Sequence, residues 1–173
     1  MVTKRALYVG RFQPFHLGHL KALKWILERE DEVVVCIGSP QYSFTKDNPF
    51  TLGERIEMIW AVLREEGLTD RCIIASVPDT YESHHLWVPL VLSYCPKFER
   101  VYTNDEMSRM LFTEAGIEVR SIPFFDREIL CATRIRKLMA ENKNWREFVH
   151  PAVARVIDSI DGVNRVKRIL SIR

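Results

Sequence analysis

The 173-residue chain contains no apolar run that approaches the length of a membrane span. It has no low-complexity tract, no internal repeat and no linker rich in Pro, Gly or Ser, so one folded unit over residues 1–173 is the expectation. Charge of one sign is lacking too. Lys and Arg number 25 against 23 Asp and Glu, a net charge of +2, which argues against a general nucleic-acid binder and makes any basic surface local. Cysteine is sparse: Cys36, Cys72, Cys95 and Cys131 are far apart and form no CxxC pair. They read as small core residues rather than a disulfide or metal framework. The opening "MVTKRALYVG" is strand-like and does not resemble a signal peptide. A reduced, cytoplasmic protein with no membrane partner is the default. The GxGxxG dinucleotide fingerprint is also missing.

What the chain does have is alternation. Short apolar runs, "ALYVG", "EVVVCIG", "RCIIASVP", "RVYTN" and "EVRSIPF", are separated by helical patterns. The pattern from Leu17 to Glu30 puts Leu20, Leu23, Ile26 and Leu27 on one face. Thr51 and Glu54 have capping-box spacing before a second helix that Gly67 ends. Between them "SPQYSFTKDNPFT" has two prolines and no period, so it reads as a long loop. "HHLWVPLVLSY" and "DEMSRMLFTEAG" are further helices, and everything after residue 126 looks helical. The order predicts an α/β fold: a doubly wound, parallel five-stranded sheet flanked by helices over 1–125, with a helical C-terminal segment over 126–173. Ligands of such sheets bind at the carboxyl ends of the strands.

The stretch at the carboxyl end of the first strand is "GRFQPFHLGH", residues 10–19. Gly10 lets the backbone leave the strand, Pro14 stiffens the loop, and Gly18 leaves room for a ligand at the start of the helix. That helix N-terminus offers unpaired N–H groups and partial positive charge. His16, His19 and Arg11 add donors at the same place. A polyphosphate fits the set. Two alternatives remain: a metal site, for which no third ligand is spaced nearby, and a purely structural role for the histidines.

"LCATRIRKLM" repeats the same physics far down the chain. Thr133 reads as a helix N-cap followed by Arg134 and Arg136 in the first turn. Cations there oppose the helix dipole, and a bound anion would offset the conflict. The competing reading is a solvated basic face over Ile135 and Leu138. Trp87 offers either a flat aromatic face for stacking or plain core packing. Lys46, in the long loop, is either a mobile phosphate contact or a solvated lysine.

"GRFQPFHLGH" resembles the GxFxPxHxGH signature of the nucleotidyltransferase superfamily, and "CATRIR" resembles its second signature, ISxTxxR, at Thr133 and Arg136. Cys131 and Ala132 stand where that family often has serines. The likeness narrows further. "IGSPQYSFTKDNPFTLGER" and "PDTYESHHLWV" resemble stretches of the archaeal nicotinamide-nucleotide adenylyltransferases, and so do "RVYTNDEMSRMLFTEAG" and "IDGVNRVKRI", over residues 5 to about 170.

The resemblance implies a Rossmann-like fold and adenylyl transfer from ATP to nicotinamide mononucleotide, giving NAD and pyrophosphate. It implies Mg²⁺ bridging phosphate oxygens with no protein side chain as its ligand, and a homo-oligomer, with a hexamer as the candidate assembly. By the same resemblance, His16 and His19 contact the α- and β-phosphates, and Arg11 and Arg136 clamp the phosphates. Gly10, Phe12, Pro14, Gly18, Thr133, Arg134 and Lys46 line the ATP site. Trp87, His84, Ser39 and Arg55 lie at the acceptor. His84 stands where the family has an asparagine; a charged imidazole there would favour nicotinic acid mononucleotide instead. Arg55 follows a capping glutamate and has local pairing as its alternative. Other readings are a sibling enzyme using phosphopantetheine, flavin mononucleotide or CTP, and a non-catalytic nucleotide sensor. The tail from Gly162 to Arg173, with four basic residues and no acid, is either a polyanion patch or a helix end or subunit contact.

Overall fold

A computed structural model describes residues 3–172. Among them, β1 (Arg5–Gly10), β2 (Glu32–Gly38), β3 (Cys72–Val77), β4 (Arg100–Tyr102) and β5 (Glu118–Arg120) form one parallel sheet in the order β3-β2-β1-β4-β5. The chain steps outward from β1 to β3, then returns to lay β4 on the other side of β1. The strand order therefore reverses between β1 and β4, and a crevice opens there at the carboxyl ends.

Residues on β1 and β2 alternate between two buried faces. Ala6, Tyr8, Val33, Val35 and Ile37 enter the larger core, and Leu7, Val34 and Cys36 enter the smaller one. Burial on both faces explains why these strands read as continuous apolar runs. The larger core is closed by α1 (Leu17–Leu27) and α2 (Leu52–Glu65), through Leu23, Ile26, Met58, Ile59 and Val62. The C-terminal helices α5 (Ala132–Ala140), α6 (Pro151–Ser159) and α7 (Gly162–Ser171) add Ile135, Met139, Val153, Ile157 and Val166 to it. The smaller core packs under α3 (Trp87–Tyr94) and α4 (Glu106–Glu114), with Val88, Val91 and Phe112. No helix among the described residues is long and apolar enough to cross a membrane.

The architecture agrees with the predicted class, and the differences lie at element ends. α1 stops at Leu27 instead of continuing to Glu30, and β5 ends at Arg120, before Pro123. A 3₁₀ turn over His84–Leu86 leads into α3, so Pro89 sits in that helix's first turn, where its missing N–H costs nothing. The basic tail is a separate helix, α7, as far as Ser171, and Arg173 lies outside the described residues. Its Arg165 pairs with Glu54 at 2.6 Å and covers the Phe44 ring at 4.3 Å, so this cation serves an internal contact.

The Thr51–Glu54 capping box is present as the spacing predicts. Thr51 Oγ1 accepts from the Glu54 N–H at 3.1 Å, and Glu54 Oε2 accepts from the Thr51 N–H at 2.9 Å. Replacing Thr51 by Ala removes one of these bonds and is expected to cost about 1 kcal/mol in urea unfolding, while Thr51→Ser is near neutral.

Candidate active site

The first loop folds on itself before it meets any ligand. Phe12 takes a left-handed conformation (φ 53°), and its ring lies over Gly10, where a Cβ would stand only 2.6 Å from it. His16 is the N-cap of α1. Its Nδ1 accepts from the N–H of Gly18 at 3.0 Å and of His19 at 3.4 Å, and His19 Nδ1 accepts from the His16 N–H at 3.1 Å. The pair is a capping box built from two imidazoles, whose rings stack at 3.6 Å. Since both Nδ1 atoms act as acceptors, the hydrogen-bond pattern assigns the proton of each neutral ring to Nε2. Gly18 serves this cap. A Cβ there would meet His16 Cε1 at 2.9 Å and Leu130 Cβ at 3.2 Å, so its small size makes room for protein as well as bordering the cleft.

Both rings are held neutral. Burial lowers the His16 pKa from 6.5 to about 4. Burial, and then the adjacent charge of His16, push that of His19 well below the ordinary value. Phe12 and Phe15 flank the His19 ring at 4.9 and 5.5 Å. The histidines therefore present N–H donors rather than fixed cations.

The second motif arrives from 123 residues away. Arg136 is buried and donates from Nη1 to the Gln13 carbonyl at 2.9 Å. Its Nη2 lies 3.6 Å from Asp47 Oδ1 and 3.4 Å from Thr133 Oγ1. The N-cap of α5 is Cys131, not the expected Thr133, because the helix starts two residues earlier, at Ala132. The Cys131 side chain makes no capping hydrogen bond, and Thr133 becomes the second helical residue, facing the cleft. Arg134 does not join it. It turns away to the Ile129 carbonyl at 3.2 Å and covers the Phe148 ring at 5.0 Å.

The two motifs face one cleft of about 500 Å³ at the β1/β4 reversal. Gly10, Arg11, Phe12, His16, Gly18, His19, Thr133 and Arg136 all border it. Pro14, in a cis peptide, is buried behind the loop and does not. Lys46 is exposed and borders neither this cleft nor the next. Sequence reasoning missed Gln13, Asp47, the Thr103–Asp105 turn after β4, and Phe124, Phe125 and Arg127 beyond β5, all of which line it. Asn104 ties the last two walls together. It donates to the Ile122 carbonyl at 2.6 Å and accepts from the Ile122 N–H at 2.9 Å. Two adjacent phenylalanines after a strand, in an otherwise polar stretch, were the available signal.

Arg55 is the largest departure from expectation. It is fully buried, so it does not touch an acceptor; its guanidinium is wrapped in main-chain carbonyls. It donates to Arg11 O at 2.8 Å, Gly38 O at 2.8 Å, Ser39 O at 3.0 Å and Thr51 O at 3.3 Å. Burial, with the repulsion of Arg11, lowers its pKa to about 10, still charged at neutral pH. Ser39, also buried, borders neither cleft. It holds a left-handed turn (φ 50°) and donates to Asp79 at 2.7 Å.

A second cleft of about 350 Å³ lies on the α3/α4 side, bordered by Tyr42, Asp79, Tyr81, His84, Trp87 and Ser108. Trp87 is half-buried, packed edge-on against Phe112 at 5.5 Å, and keeps surface toward this cleft. The two clefts meet at the start of α4. Asp105 borders the first and caps the helix by accepting from Ser108, which borders the second. Among the described residues no group of three or more His, Cys, Asp or Glu is arranged to hold a metal ion.

Comparison with known proteins adds the following. Residues 7–147 match the cytidylyltransferase-like family. A nicotinamide-nucleotide adenylyltransferase of Picrophilus torridus is 47% identical over 163 residues, covering 94% of this chain and 95% of that protein. One from Pyrococcus furiosus is 45% identical over 166 residues, covering 95% and 88%. In fold, the chain is similar to a bifunctional NMN adenylyltransferase/ADP ribose pyrophosphatase of Francisella tularensis solved with AMP and a manganese ion. The TM-score is 0.80 at 18% identity, over 98% of this chain and 52% of that one.

The neutral cap makes stability depend on pH. His16 has a folded pKa of about 4 against 6.5 unfolded, so the unfolded chain binds more protons between those values. The contribution is complete above pH 6.5 and is lost as pH falls toward 4, about 3 kcal/mol from this residue. Urea titrations across that range are expected to show the loss. His16→Asn, which can still cap without titrating, is expected to show a smaller one.

Proposed function

We propose that this chain, which belongs to the cytidylyltransferase-like family and within it to the nicotinamide-nucleotide adenylyltransferases, joins nicotinamide mononucleotide to ATP, releasing NAD and pyrophosphate. The observation that carries this reading is the convergence of two helix N-termini, two Nε2–H donors and two arginines on one cleft, with an aromatic-lined cleft beside it. Such a donor set matches a polyphosphate. The triphosphate lies between α1 and α5, with His16 and His19 on the α- and β-phosphates and Thr133, Arg136 and the α5 N-terminus on the β- and γ-phosphates. The pyridine ring of the acceptor rests against Trp87.

In the reaction a 5′-phosphate oxygen of the acceptor attacks the α-phosphorus in line. The bond to the bridging oxygen breaks, and pyrophosphate leaves with that electron pair. The attacking phosphate is already anionic, so no general base is required, and the protein contributes positioning and charge stabilisation. Neutral imidazoles suit this, since they donate to oxygens whose charge grows in the transition state. Mg²⁺ would enter with the substrate phosphates rather than on a protein ligand set, and Asp47 and Asp105, the carboxylates that border the cleft, would be the residues to support it. When bound, it offsets charge on the departing pyrophosphate. Arg55 acts at one remove, holding the Arg11 carbonyl and so the base of the Arg11 side chain.

His84 at the edge of the second cleft favours a second reading, in which nicotinic acid mononucleotide is also accepted. Homo-oligomer assembly belongs to the proposal too, supported by exposed Ile56 and Trp60, one turn apart on α2.

Incubation with Mg-ATP and either mononucleotide, with mass detection of the dinucleotide, tests the activity. NAD formation is expected, and no dinucleotide from either acceptor would reject the proposal. His19→Ala is expected to lower kcat by ~10²–10³-fold with a much smaller change in KM for ATP. His19→Gln, able to keep the cap, checks that folding is not the cause. For Arg55, a double-mutant cycle separates positioning from general stability. Arg55→Lys is expected to lower kcat about tenfold in the wild-type background and to add little once Arg11 is Ala.

A further inference from the structure

We propose that Cys36 and Cys95 form an oxidative modification site, at which a hydroperoxide converts the pair reversibly into an intrachain disulfide. The inference does not depend on the adenylyl-transfer reading. The two residues are 59 apart in sequence, yet their sulfurs lie 3.5 Å from each other. Cys36 is wholly buried in β2, on the face of the smaller core. Cys95 is the C-cap of α3, half-buried and with extended backbone. The sulfurs would close by about 1.5 Å to reach bonding distance, which is within the reach of a side-chain rotation.

Asymmetry of exposure gives each sulfur a role. Cys95 is the one that a small oxidant reaches, and Cys36 waits behind it as the resolving thiol. In the resting pair the Cys95 S–H donates to Cys36, and once Cys95 is ionised the Cys36 S–H can donate back across the same contact. The hydrogen bond shared with Cys36 holds the Cys95 thiol below its ordinary value, although burial opposes this, and the same bond together with burial raises Cys36. The other two cysteines lack this arrangement. Cys72 is buried and its thiol pushed up to about 12, and Cys131 sits in the first cleft.

The chemistry balances in two steps. The Cys95 thiolate attacks the peroxide oxygen, breaking the O–O bond and giving a sulfenic acid and hydroxide. The Cys36 sulfur then attacks the Cys95 sulfur, its proton leaves with the departing hydroxyl as water, and the S–S bond forms. Two thiols are oxidised and one peroxide is reduced to two waters. The bridge fastens the last turn of α3 to the central sheet. That is the helix whose first residue, Trp87, borders the second cleft.

The experiment uses the full chain carrying Cys131→Ser, treated with hydrogen peroxide, alkylated and mapped by mass spectrometry. Expected are the loss of two hydrogens from the intact mass, one cross-linked peptide pair holding Cys36 and Cys95, and reversal by a thiol reductant. A bridge closing so long a loop is also expected to raise the heat-denaturation midpoint by several degrees. In the Cys36→Ala variant, Cys95 is expected to collect oxygen atoms instead. Sulfinate on Cys95 with Cys36 still present and free would overturn the proposal, and so would two thiols that remain unoxidised in the folded chain.

Discussion

Two buried guanidinium groups need acceptors, and the site is built around how they find them. Arg55 takes the carbonyl of Arg11, and Arg136 takes the carbonyl of Gln13. A buried charge without partners would be prohibitively costly, so each arginine fixes the backbone that satisfies it. The loop between β1 and α1 is thus clamped from both sides. The Gln13 side chain completes the clamp, bonding both the N–H and the carbonyl of Phe50 at 3.0 Å. Two distant segments, the start of α2 and the body of α5, are joined through one short loop.

The histidines sit at the end of that clamped loop and serve two purposes with different atoms. Each Nδ1 satisfies orphan donors at the start of α1, and each Nε2–H remains for the cleft. A charged imidazole could not cap, because its Nδ1 would carry a proton. Structural capping and presentation of a neutral donor therefore impose the same protonation state, and burial enforces it.

The region between the clefts is economical in the same way. The loop after β2 lends Tyr42 to one cleft and Asp47 to the other, and its first turn is held by Arg55 and by the Ser39–Asp79 bond. Both Phe12 and Ser39 occupy left-handed backbone at strand ends. Strain of this kind persists where surrounding bonds over-determine it. Here those bonds are the carbonyl contacts of a single arginine on either side.

Periodicity and capping are local properties, and they were legible. The five strands, the amphipathic helices, the Thr51–Glu54 box and the placing of His16 and His19 where strand becomes helix all follow from short windows of sequence. The placing of cations near the start of α5 was legible as well, with Arg134 in its first turn and Arg136 just beyond it. Cys131 rather than Thr133 became the cap because the choice between starts two residues apart rests on contacts outside the window. Arg55 looked like a ligand and is a scaffold, and Arg134 looked like a partner of Arg136 and turned away. Sequence alone determined the kind of sheet, the strand end from which the first loop leaves and the two motifs that border one cleft. Only the tertiary structure decided which arginines face the cleft, because that depends on which carbonyls a distant chain segment brings within reach of each guanidinium.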